Sequence, residues 1–392
     1  MSILTESKKW ANVKTKICEG LSAKKARMVN TLLENTRGVL LSEAYNSATT
    51  AGNIASVNKV ILPLIRRVMP SVIANEIMGV QPMQGPVAQI STLRVQYGET
   101  IPADGTGVVA GTEALSPDLV AKYYSGNQDI NDPDAANTAD LELTMGPKVK
   151  VQVLKETVTA KSHRLSAEWT VEAQQDAQSQ YGLDIEAELF TAVAQEMVIE
   201  IDQIMLGKLR KLAGPAKVTY DQAATSGVAT SVVDEHASLA VLIQQQSNQI
   251  ARKTRRGPAN WAVVSNDALT VLQSARSSAF AQTTKGTFDA PTNTKLVGTL
   301  NNSVKVYADN FATVNTPVMI GYKGNNETDA AAFYCPYIPL QSIGSVIDPN
   351  TGALVTTFLT RYGYAELSNS ATSLGNAADY LAAINTRNLR FF

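Results

Sequence analysis

Few residues of this sequence have side chains suited to proton transfer or nucleophilic attack. Its histidines are His163 and His236, and its cysteines are Cys18 and Cys335. His163 stands where a predicted strand approaches a helix and His236 stands near a helix start, positions typical of surface or capping residues rather than of a general base. The sequence contains no HExxH, GxSxG or GxxxxGK[ST] segment. We therefore predict no catalytic residues and a protein that is not an enzyme.

Two segments match ligand-binding patterns only in part. GTGVVA, residues 105–110, fits the relaxed dinucleotide pattern GxGxxA, but the preceding ETIPAD does not predict a buried strand. DINDPD, residues 129–134, begins like a calcium loop, but Pro133 stands at the third ligand position. The two cysteines fit neither a zinc site nor a disulfide framework. We predict no cofactor and no metal ion.

Basic residues concentrate near the start of the sequence, although its net charge is −1. Residues 1–38 hold eight Lys or Arg and three Glu, which leaves +5 there and −6 in the remainder. This segment could bind nucleic acid or an acidic partner, or be a solvated amphipathic segment. A second basic cluster, RKTRRGP, could contact phosphate or a neighbouring acidic surface, or be a solvated helix end. Its basic residues are Arg252, Lys253, Arg255 and Arg256.

The composition predicts a folded protein outside membranes. The fractions of hydrophobic residues, 44%, and charged residues, 18%, are ordinary for a chain that buries a core. No stretch reaches the roughly 18 consecutive apolar residues of a membrane span, and MSILTESKKWANVK lacks the apolar run of a secretory signal. We expect a protein made and kept in a reducing cytosol.

The first segment along the chain is a polar N-terminal stretch. Residues 1–60 are rich in Lys, Asn, Ser, Thr and Ala, and they predict a loose arm rather than part of a core. The next segment, PLIRRVMPSVIANEIMGVQPM at residues 63–83, has apolar residues at helical intervals that Pro70 interrupts. It predicts two short helices that form a joint between the arm and the body.

A long excursion follows the joint. QISTLRVQYG predicts a strand that ends at Gly98, and KVKVQVLKETV predicts a strand that returns to the body. About fifty residues with little core material separate the two, which is unusual inside a compact domain and typical of a functional loop. The pattern indicates a long projecting hairpin.

The strongest helical signal lies in LDIEAELFTAVAQEMVIEIDQIMLGKLRKL. Its apolar residues recur every four positions from Ile185 to Leu209, Asp184 is a plausible cap, and Gly214-Pro215 ends the pattern. Beyond it, helical and strand patterns alternate and predict a separate α/β domain. ALVTTFLTRYGYAEL then predicts a long strand, followed by a polar tail.

Several of these segments resemble the major capsid proteins of T-even-type contractile-tailed bacteriophages. The resemblance is carried by the joint with its GVQPM, by AKSHRLSAEWTVEAQQDAQSQYGLDIEAELFTAVAQEMVIEID, by ANWAVVSNDALTVL, by GYKGNNETDAAAFYCPYIPL and by TRYGYAEL. These segments occur in the family's order over about residues 60–368.

The resemblance implies an α+β protein with the Hong Kong 97-like phage capsid fold. That fold has an N-terminal arm, an extended loop, a peripheral domain with a long spine helix, and an axial α/β domain. The implied boundaries are 1–62 for the arm, 63–98 for the first part of the peripheral domain, 99–160 for the extended loop, 161–219 for the spine helix, 220–340 for the axial domain, and 341–392 for the return strand and C-terminal tail.

The resemblance also implies function and partners. A family member would self-assemble into hexamers, with pentamers as a further option, in a head that encloses double-stranded DNA without sequence specificity. Its other partners would be a portal at one vertex, decoration or vertex proteins, a scaffold and a head-maturation protease. Such a protein is a virion component assembled in the host bacterial cytoplasm. An encapsulin-like compartment of the same fold is the alternative, and a dehydrogenase using GTGVVA is a weaker one.

The same resemblance implies contacts and processing sites. The basic residues Arg66, Arg67, Arg252, Lys253, Arg255 and Arg256 are candidate assembly contacts. The family's protease cuts after Glu in a Leu/Ile-x-Glu sequence, which this chain offers at Glu6, Glu34 and Glu43. Glu43 fits best, because cleavage before Ala44 would remove the basic arm just ahead of the joint.

Overall fold

The structure is a computed structural model. It describes residues 10–12, 14–46, 72–100, 110, 138, 142, 148–182, 184–225, 232–254, 256–275, 280–282, 295–301, 303–313, 316–325, 329–349, 351–366 and 377–389. Helices and strands are mixed in the pattern that the predicted α+β class requires.

The first long element is helix α1 (Ala23–Asn46), and it packs on the body of the protein. Met28, Val29, Leu32 and Leu33 are at most 4% exposed and belong to the main hydrophobic core. The prediction that this stretch is a loose solvated arm is therefore wrong for α1. The four apolar side chains recur at helical spacing and form a buried stripe between the basic residues.

The joint enters the body through helix α2 (Ala74–Ile77) and strand β1 (Gly79–Val80). Strand β1 pairs in parallel with β11 (Ala332–Ile347). The part of the predicted joint that contains Arg66, Arg67 and Pro70 lies outside the described residues.

The predicted hairpin is confirmed. Strands β2 (Val87–Tyr97) and β3 (Val149–Thr159) pair antiparallel along their full length, from Val87 opposite Thr159 to Tyr97 opposite Val149. We call this two-stranded element the ribbon. The residues between its strands begin at Gly98, where the sequence predicted the strand to end.

A four-stranded sheet receives the ribbon. Its order is β1-β11-β12-β4, with β4 at Lys161–Trp169 and β12 at Leu354–Glu366. The segment that the resemblance assigns to the spine helix, 161–219, thus begins with a strand that pairs with β12 along its whole length. Strand β11 belongs to this four-stranded sheet and runs past residue 340. The implied end of the axial domain at 340 therefore falls inside β11.

Two consecutive helices follow, α3 (Val171–Tyr181) and α4 (Ile185–Ala213). Gly182 separates them with a left-handed φ of 65°, a conformation that glycine adopts without steric cost. Asp184 caps α4 as predicted, and its carboxylate accepts a hydrogen bond from the backbone N–H of Glu186 at 3.1 Å. The predicted apolar stripe is buried from Val193 to Leu209. With 29 residues, α4 is about 43 Å long.

The rest of the chain forms a seven-stranded sheet of order β5-β13-β10-β6-β9-β8-β7. Its strands are β5 (Val218–Asp221), β6 (Trp261–Ser265), β7 (Phe280–Gln282), β8 (Lys295–Leu300), β9 (Val304–Asp309), β10 (Val318–Gly321) and β13 (Leu381–Arg387). The accompanying helices are α5 (Gln222–Thr225), α6 (Val232–Thr254), α7 (Asn266–Ser274) and a 3-10 helix at Ala377–Tyr380.

The two faces of this sheet pack against different helices. Val263 and Met319 belong to the core that contains α4, whereas Ala262, Val264 and Ile320 belong to a second core with α6 and α7. This alternation is the period-two pattern of buried strands. The long helix therefore supports the sheet from one side.

Strand β13 corrects the prediction of a polar C-terminal tail. Residues 381–387 pair in parallel with β5 and antiparallel with β10. Ile384 is fully buried there, because β13 lies between two strands and packs under α6. Residues 381–387 thus form an inner strand of the seven-stranded sheet. None of the described helices has the length and apolar character needed to cross a membrane.

Candidate assembly surfaces

The ribbon presents exposed apolar side chains. Val149, Val151 and Val153 follow one another on the same face of β3 and are 51%, 61% and 53% exposed. Exposed valines at alternating positions are unusual on a strand, because they are normally covered by a second layer. This part of the ribbon is a surface that a partner could cover.

The opposite end of the ribbon is fixed to the body. Val158 is buried against β12 at Gly363, where a Cβ atom would overlap the Val158 side chain. Met83 and the carbonyl of Thr159 also lie close to this position. The glycine lets the two backbones approach, so the root of the ribbon is held rigidly while its far end extends outward.

One side chain of helix α1 bonds to two separate parts of the body. Asn35 Nδ2 donates to the carbonyl oxygen of Met83 at 2.7 Å and to that of Tyr337 at 2.8 Å. Both hydrogens of the amide are thus used, one on the joint and one on β11. The helix, the joint and the four-stranded sheet meet at this residue.

A buried carboxyl links the joint to the long helix. Asp202 on α4 is 1% exposed, and its Oδ1 accepts a hydrogen bond from the backbone N–H of Ile73 at 2.9 Å. Burial raises the pKa of Asp202 to about 7; the bond from Ile73 opposes this rise, and the nearby charge of Asp309 adds to it. This contact could not be predicted from the sequence, because Asp202 occurs inside an otherwise apolar stripe and its partner lies 129 residues away.

A second buried carboxylate joins α4 to the seven-stranded sheet. Asp309, at the end of β9, is fully buried and accepts hydrogen bonds from Gln203 at 2.9 Å and from Arg210 at 2.8 Å. The backbone N–H of Phe311 also donates to it. Such a carboxylate is tolerated in a core only with a full set of donors. These bonds fix the sheet against the helix.

The basic residues that were predicted as assembly contacts have different surroundings in the structure. Arg66, Arg67 and Arg255 lie outside the described residues. Arg252 is exposed on α6. Lys253 lies 3.9 Å from Asp379, and Arg256 pairs with Asp329. Lys253 and Arg256 therefore make ion pairs within the chain. These contacts agree with the hypothesis that the cluster is a helix end, and they require no partner protein.

The two histidines do not form a reactive site. His163 stacks on Tyr362 with ring centroids 4.7 Å apart, and its Nδ1 lies 3.1 Å from a carboxylate oxygen of Glu200. This partly exposed position agrees with the predicted surface role.

His236 is buried, 3% exposed, so the predicted surface or capping position is wrong for it. Its Nε2 faces the amide nitrogen of Gln222 at 3.1 Å, and its Nδ1 lies 2.6 Å from Ser274 Oγ. The amide nitrogen of Gln222 can only donate, so Nε2 of His236 accepts and the proton is assigned to Nδ1. Ser274 Oγ in turn donates to the carbonyl of Val271 at 3.0 Å. The hydroxyl proton is directed away from the imidazole, which is the reverse of a nucleophile activated by a base.

The candidate processing sites differ in their surroundings. Glu6 lies outside the described residues. Glu34 lies in the middle of α1 and pairs with Lys14. Glu43 lies three residues before the end of the same helix at Asn46. Helix ends fray more readily than helix interiors, so a cleavage site near a helix end is the more favourable of the two positions for a protease.

The other ligand patterns remain without structural support. No group of three or more His, Cys, Asp or Glu side chains that could hold a metal ion occurs in the described part of the chain. DINDPD and all but the last residue of GTGVVA lie outside that part. Cys18 and Cys335 both carry free thiols.

A basic cluster that the sequence did not predict surrounds Glu76 on α2. It consists of Lys24, Lys25, Arg27, Lys305 and Lys323, which line two adjoining cavities between α1, the joint and the seven-stranded sheet. Lys25 Nζ lies 3.0 Å and Lys305 Nζ 4.0 Å from the Glu76 carboxylate. Although burial alone raises the pKa of Glu76, the hydrogen bond and charge of Lys25, with Lys305 and Lys323, bring it below its ordinary value.

The sequence is similar to known phage proteins. A family model described as major capsid protein Gp23 matches residues 54–388. The major capsid protein of Vibrio phage KVP40 is 27% identical over 423 residues, covering 86% of this chain and 82% of that protein. The major capsid protein of Enterobacteria phage T4 is 25% identical, with 80% and 76% covered. That of Salmonella phage ViI is 26% identical, with 91% and 88% covered.

Solved structures with a similar chain course are also phage proteins. The capsid of Myoviridae phage XM1 aligns with a TM-score of 0.45 at 12% identity, over 81% of this chain and 92% of that one. A structure from Mycobacterium phage Bobi aligns with a TM-score of 0.45 at 11% identity, over 89% and 97%.

Proposed function

Because this chain belongs to the Gp23 family of major capsid proteins, we propose that it self-assembles into hexamers and pentamers of an icosahedral phage head that encloses double-stranded DNA. The observation that carries the proposal is the ribbon, which is fixed at its root and exposes three valines beyond it. Exposed apolar area of this kind is stabilising only when a partner covers it.

In such a shell, different elements of the chain would make different contacts between copies. The ribbon would lie over the α4 helix of a neighbouring copy, and the seven-stranded sheets would meet around the local symmetry axes. Because α4 is tied to the sheet through Asp309 and to the joint through Asp202, each copy can act as a rigid unit. Many contacts of modest strength then add up in a closed shell.

The interior proposed for this shell holds DNA without reading its sequence. The net charge of −1 suits a container, since a strongly cationic inner surface would hold the packed DNA by counterion release and hinder its ejection. We include in the proposal a portal at one vertex, decoration or vertex proteins, and a scaffold and maturation protease during assembly. No catalytic role is assigned to the chain itself.

The ribbon gives a direct test of assembly. Replacing Val151 and Val153 together by Asp places two charges on the exposed face, whereas the control Val241→Asp places one charge at a valine that is 67% exposed on α6. We expect the wild-type chain and the Val241 variant to form closed shells, as judged by sedimentation velocity and electron microscopy. The ribbon variant should keep its circular dichroism spectrum and sediment as subunits or small oligomers.

Three results would count against the proposal. A wild-type chain that sediments as a monomer, alone and when co-expressed with the scaffold, would contradict a shell function. Particles from infected cells that contain protein cargo in place of DNA would favour the encapsulin-like alternative. Tight binding of unassembled capsomers to DNA with a steep salt dependence would contradict the container argument.

A further inference from the structure

The basic cluster around Glu76 has an excess of positive charge. Its five cationic side chains come from α1, from β9 and from the segment after β10, and they surround one carboxylate, which leaves a net charge of +4 among these residues. The larger of the two cavities that they line has a volume of about 410 Å³.

Two of these side chains bind backbone carbonyl groups. Lys24 Nζ donates to the carbonyl oxygen of Asn325 at 2.5 Å, and Lys323 Nζ donates to that of Asn75 at 2.6 Å. A carbonyl orients an ammonium group but carries no formal charge. The nearby carboxylate of Asp329 is paired with Arg256, outside the cluster. An anion entering the cavities would therefore meet positioned cations.

The chain carries a strongly acidic segment of its own. Residues 99–148, between the strands of the ribbon, contain nine Asp or Glu and two Lys, a net charge of −7. Glu99 and Lys148 pair with each other at 3.6 Å at the base of the segment. The seven net negative charges therefore belong to the residues between them. We call residues 99–148 the acidic segment.

The length of the ribbon separates the two ends of the acidic segment, Glu99 and Lys148, from the root of the ribbon. The cluster lies beside Val80 and Pro82, which lead into the root of the ribbon. Each ribbon strand has 11 residues, so the acidic segment begins about 35 Å farther out. A segment carried away from its own cluster is well placed to reach the cluster of another copy.

We propose that the acidic segment of one copy docks on the basic cluster, Lys24, Lys25, Arg27, Lys305 and Lys323, of a neighbouring copy. The inference rests on the proposed shell function, which brings copies side by side. A single chain with spaced carboxylates can enter cavities of this volume. Duplex DNA is a stiff rod whose phosphates can contact only the outer rim, so DNA is the less suitable occupant.

A charge-exchange experiment tests this contact. The cluster variant carries Lys24→Glu, Arg27→Glu and Lys305→Glu, which changes the net charge of the cluster from +4 to −2 and leaves the bonds from Lys25 to Glu76 and from Lys323 to Asn75 intact. The segment variant replaces Asp104, Asp118, Asp129, Asp132 and Asp134 by Lys, which changes the net charge of the acidic segment from −7 to +3. A matched control, with Lys161, Lys211 and Lys217 replaced by Glu, makes the same charge change as the cluster variant at exposed lysines outside the cluster. The rate of shell formation by the full chain is followed by light scattering at low and high salt.

We expect each variant alone to assemble at least tenfold more slowly than wild type, and the control to assemble at the wild-type rate. An equimolar mixture of the two variants should recover, because the acidic cluster of one then meets the basic segment of the other. Wild-type assembly should slow as salt rises, since exposed charges are screened beyond about 10 Å at 0.1 M.

Three outcomes would overturn the contact. Both variants could assemble at the wild-type rate. The mixture could stay slow while a single chain carrying both sets of changes recovers, which would place the contact within one copy. The cluster changes could abolish DNA binding and leave assembly untouched, which would identify DNA as the occupant. A wild-type chain that forms no shells would instead refute the proposed function, and the two failures are thereby distinguished.

Discussion

The backbone N–H of Ile73 donates a hydrogen bond to Oδ1 of Asp202 at 2.9 Å, and both residues are buried. Within the described structure, the other carboxyl oxygen of Asp202 has no hydrogen-bond partner. This one contact ties the joint to the long helix at a group whose pKa is raised to about 7, chiefly by burial. The position of the joint is therefore linked to the protonation of a single carboxyl.

We predict that the free energy of unfolding falls as the pH rises from about 4 to about 7 through this group. The native pKa exceeds the unfolded value of about 3.9, so in this window the native state binds more protons than the unfolded state, and stability declines as pH rises. The decline cannot exceed about 1.4 kcal/mol per pH unit from one group. Urea denaturation of the unassembled chain across this range measures it.

Asp202→Asn is the variant that isolates the effect. Asparagine keeps an acceptor for Ile73 but does not ionise, so the variant should lose this decline and be more stable than wild type above about pH 7. Asp176→Asn, at an exposed acid of α3, serves as the control and should retain the wild-type slope. Equal slopes for wild type and Asp202→Asn would show that the buried carboxyl does not titrate in this range.

Asn35→Ala should loosen α1 from the body. The variant leaves the carbonyls of Met83 and Tyr337 without their donors, at a cost of about 1–3 kcal/mol in the free energy of unfolding. We expect limited proteolysis within α1 to become faster. Asn30→Ala, at an exposed position of the same helix, is the control and should leave the digestion rate unchanged. Unchanged protection in Asn35→Ala would show that the apolar stripe alone holds the helix.

Gly363→Ala should destabilise the root of the ribbon. The added methyl overlaps the side chain of Val158, and overpacking of this kind costs about 1–3 kcal/mol. Adding Val158→Ala removes the overlapping atom, so the double variant should lose less stability than the sum of the two single changes. Gly207→Ala is the control, because nothing lies within 4 Å of that position on α4. Strict additivity in denaturant unfolding would contradict the predicted overlap.

Mature particles should contain a chain that begins at Ala44. Cleavage after Glu43, near the end of α1, would remove Met28, Val29, Leu32 and Leu33 from the core. It would also reduce the net charge of the basic cluster from +4 to +1, since Lys24, Lys25 and Arg27 would be lost. The contact with the acidic segment would then belong to the precursor shell. An intact mass of 41.9 kDa from DNA-filled particles would show that the helix is retained.

The elements that could be predicted from the sequence are those whose residue pattern lies within one segment of the chain. The spacing of apolar residues along α4 fixed both its length and its buried face, and the strand patterns on either side of the acidic segment predicted the ribbon. In α1 a similar stripe was present, but the surrounding Lys and Arg residues favoured a solvated interpretation. The helix is buried because its apolar stripe packs against the joint and β11. A pattern within residues 23–46 cannot reveal these distant partners.

Features built from distant residues could not be predicted in this way. The basic cluster brings together residues 24–27 with Lys305 and Lys323, and the bond between Ile73 and Asp202 joins positions 129 residues apart. The strand β13 has only Leu381 and Ile384 as strong apolar residues. It is a strand because β5 and β10 both offer it backbone partners, which is a property of the sheet.

The place of β13 has a consequence for synthesis on the ribosome. Until residues 381–387 emerge, β5 has no partner strand and the edge of β10 is open in a sheet that needs seven strands. Domains fold as units during translation, so this one cannot be completed before residues 381–387 have emerged. A chain without β13 lacks the strand that joins β5 to β10. Addition of β13 is therefore a late step in the folding of the seven-stranded sheet.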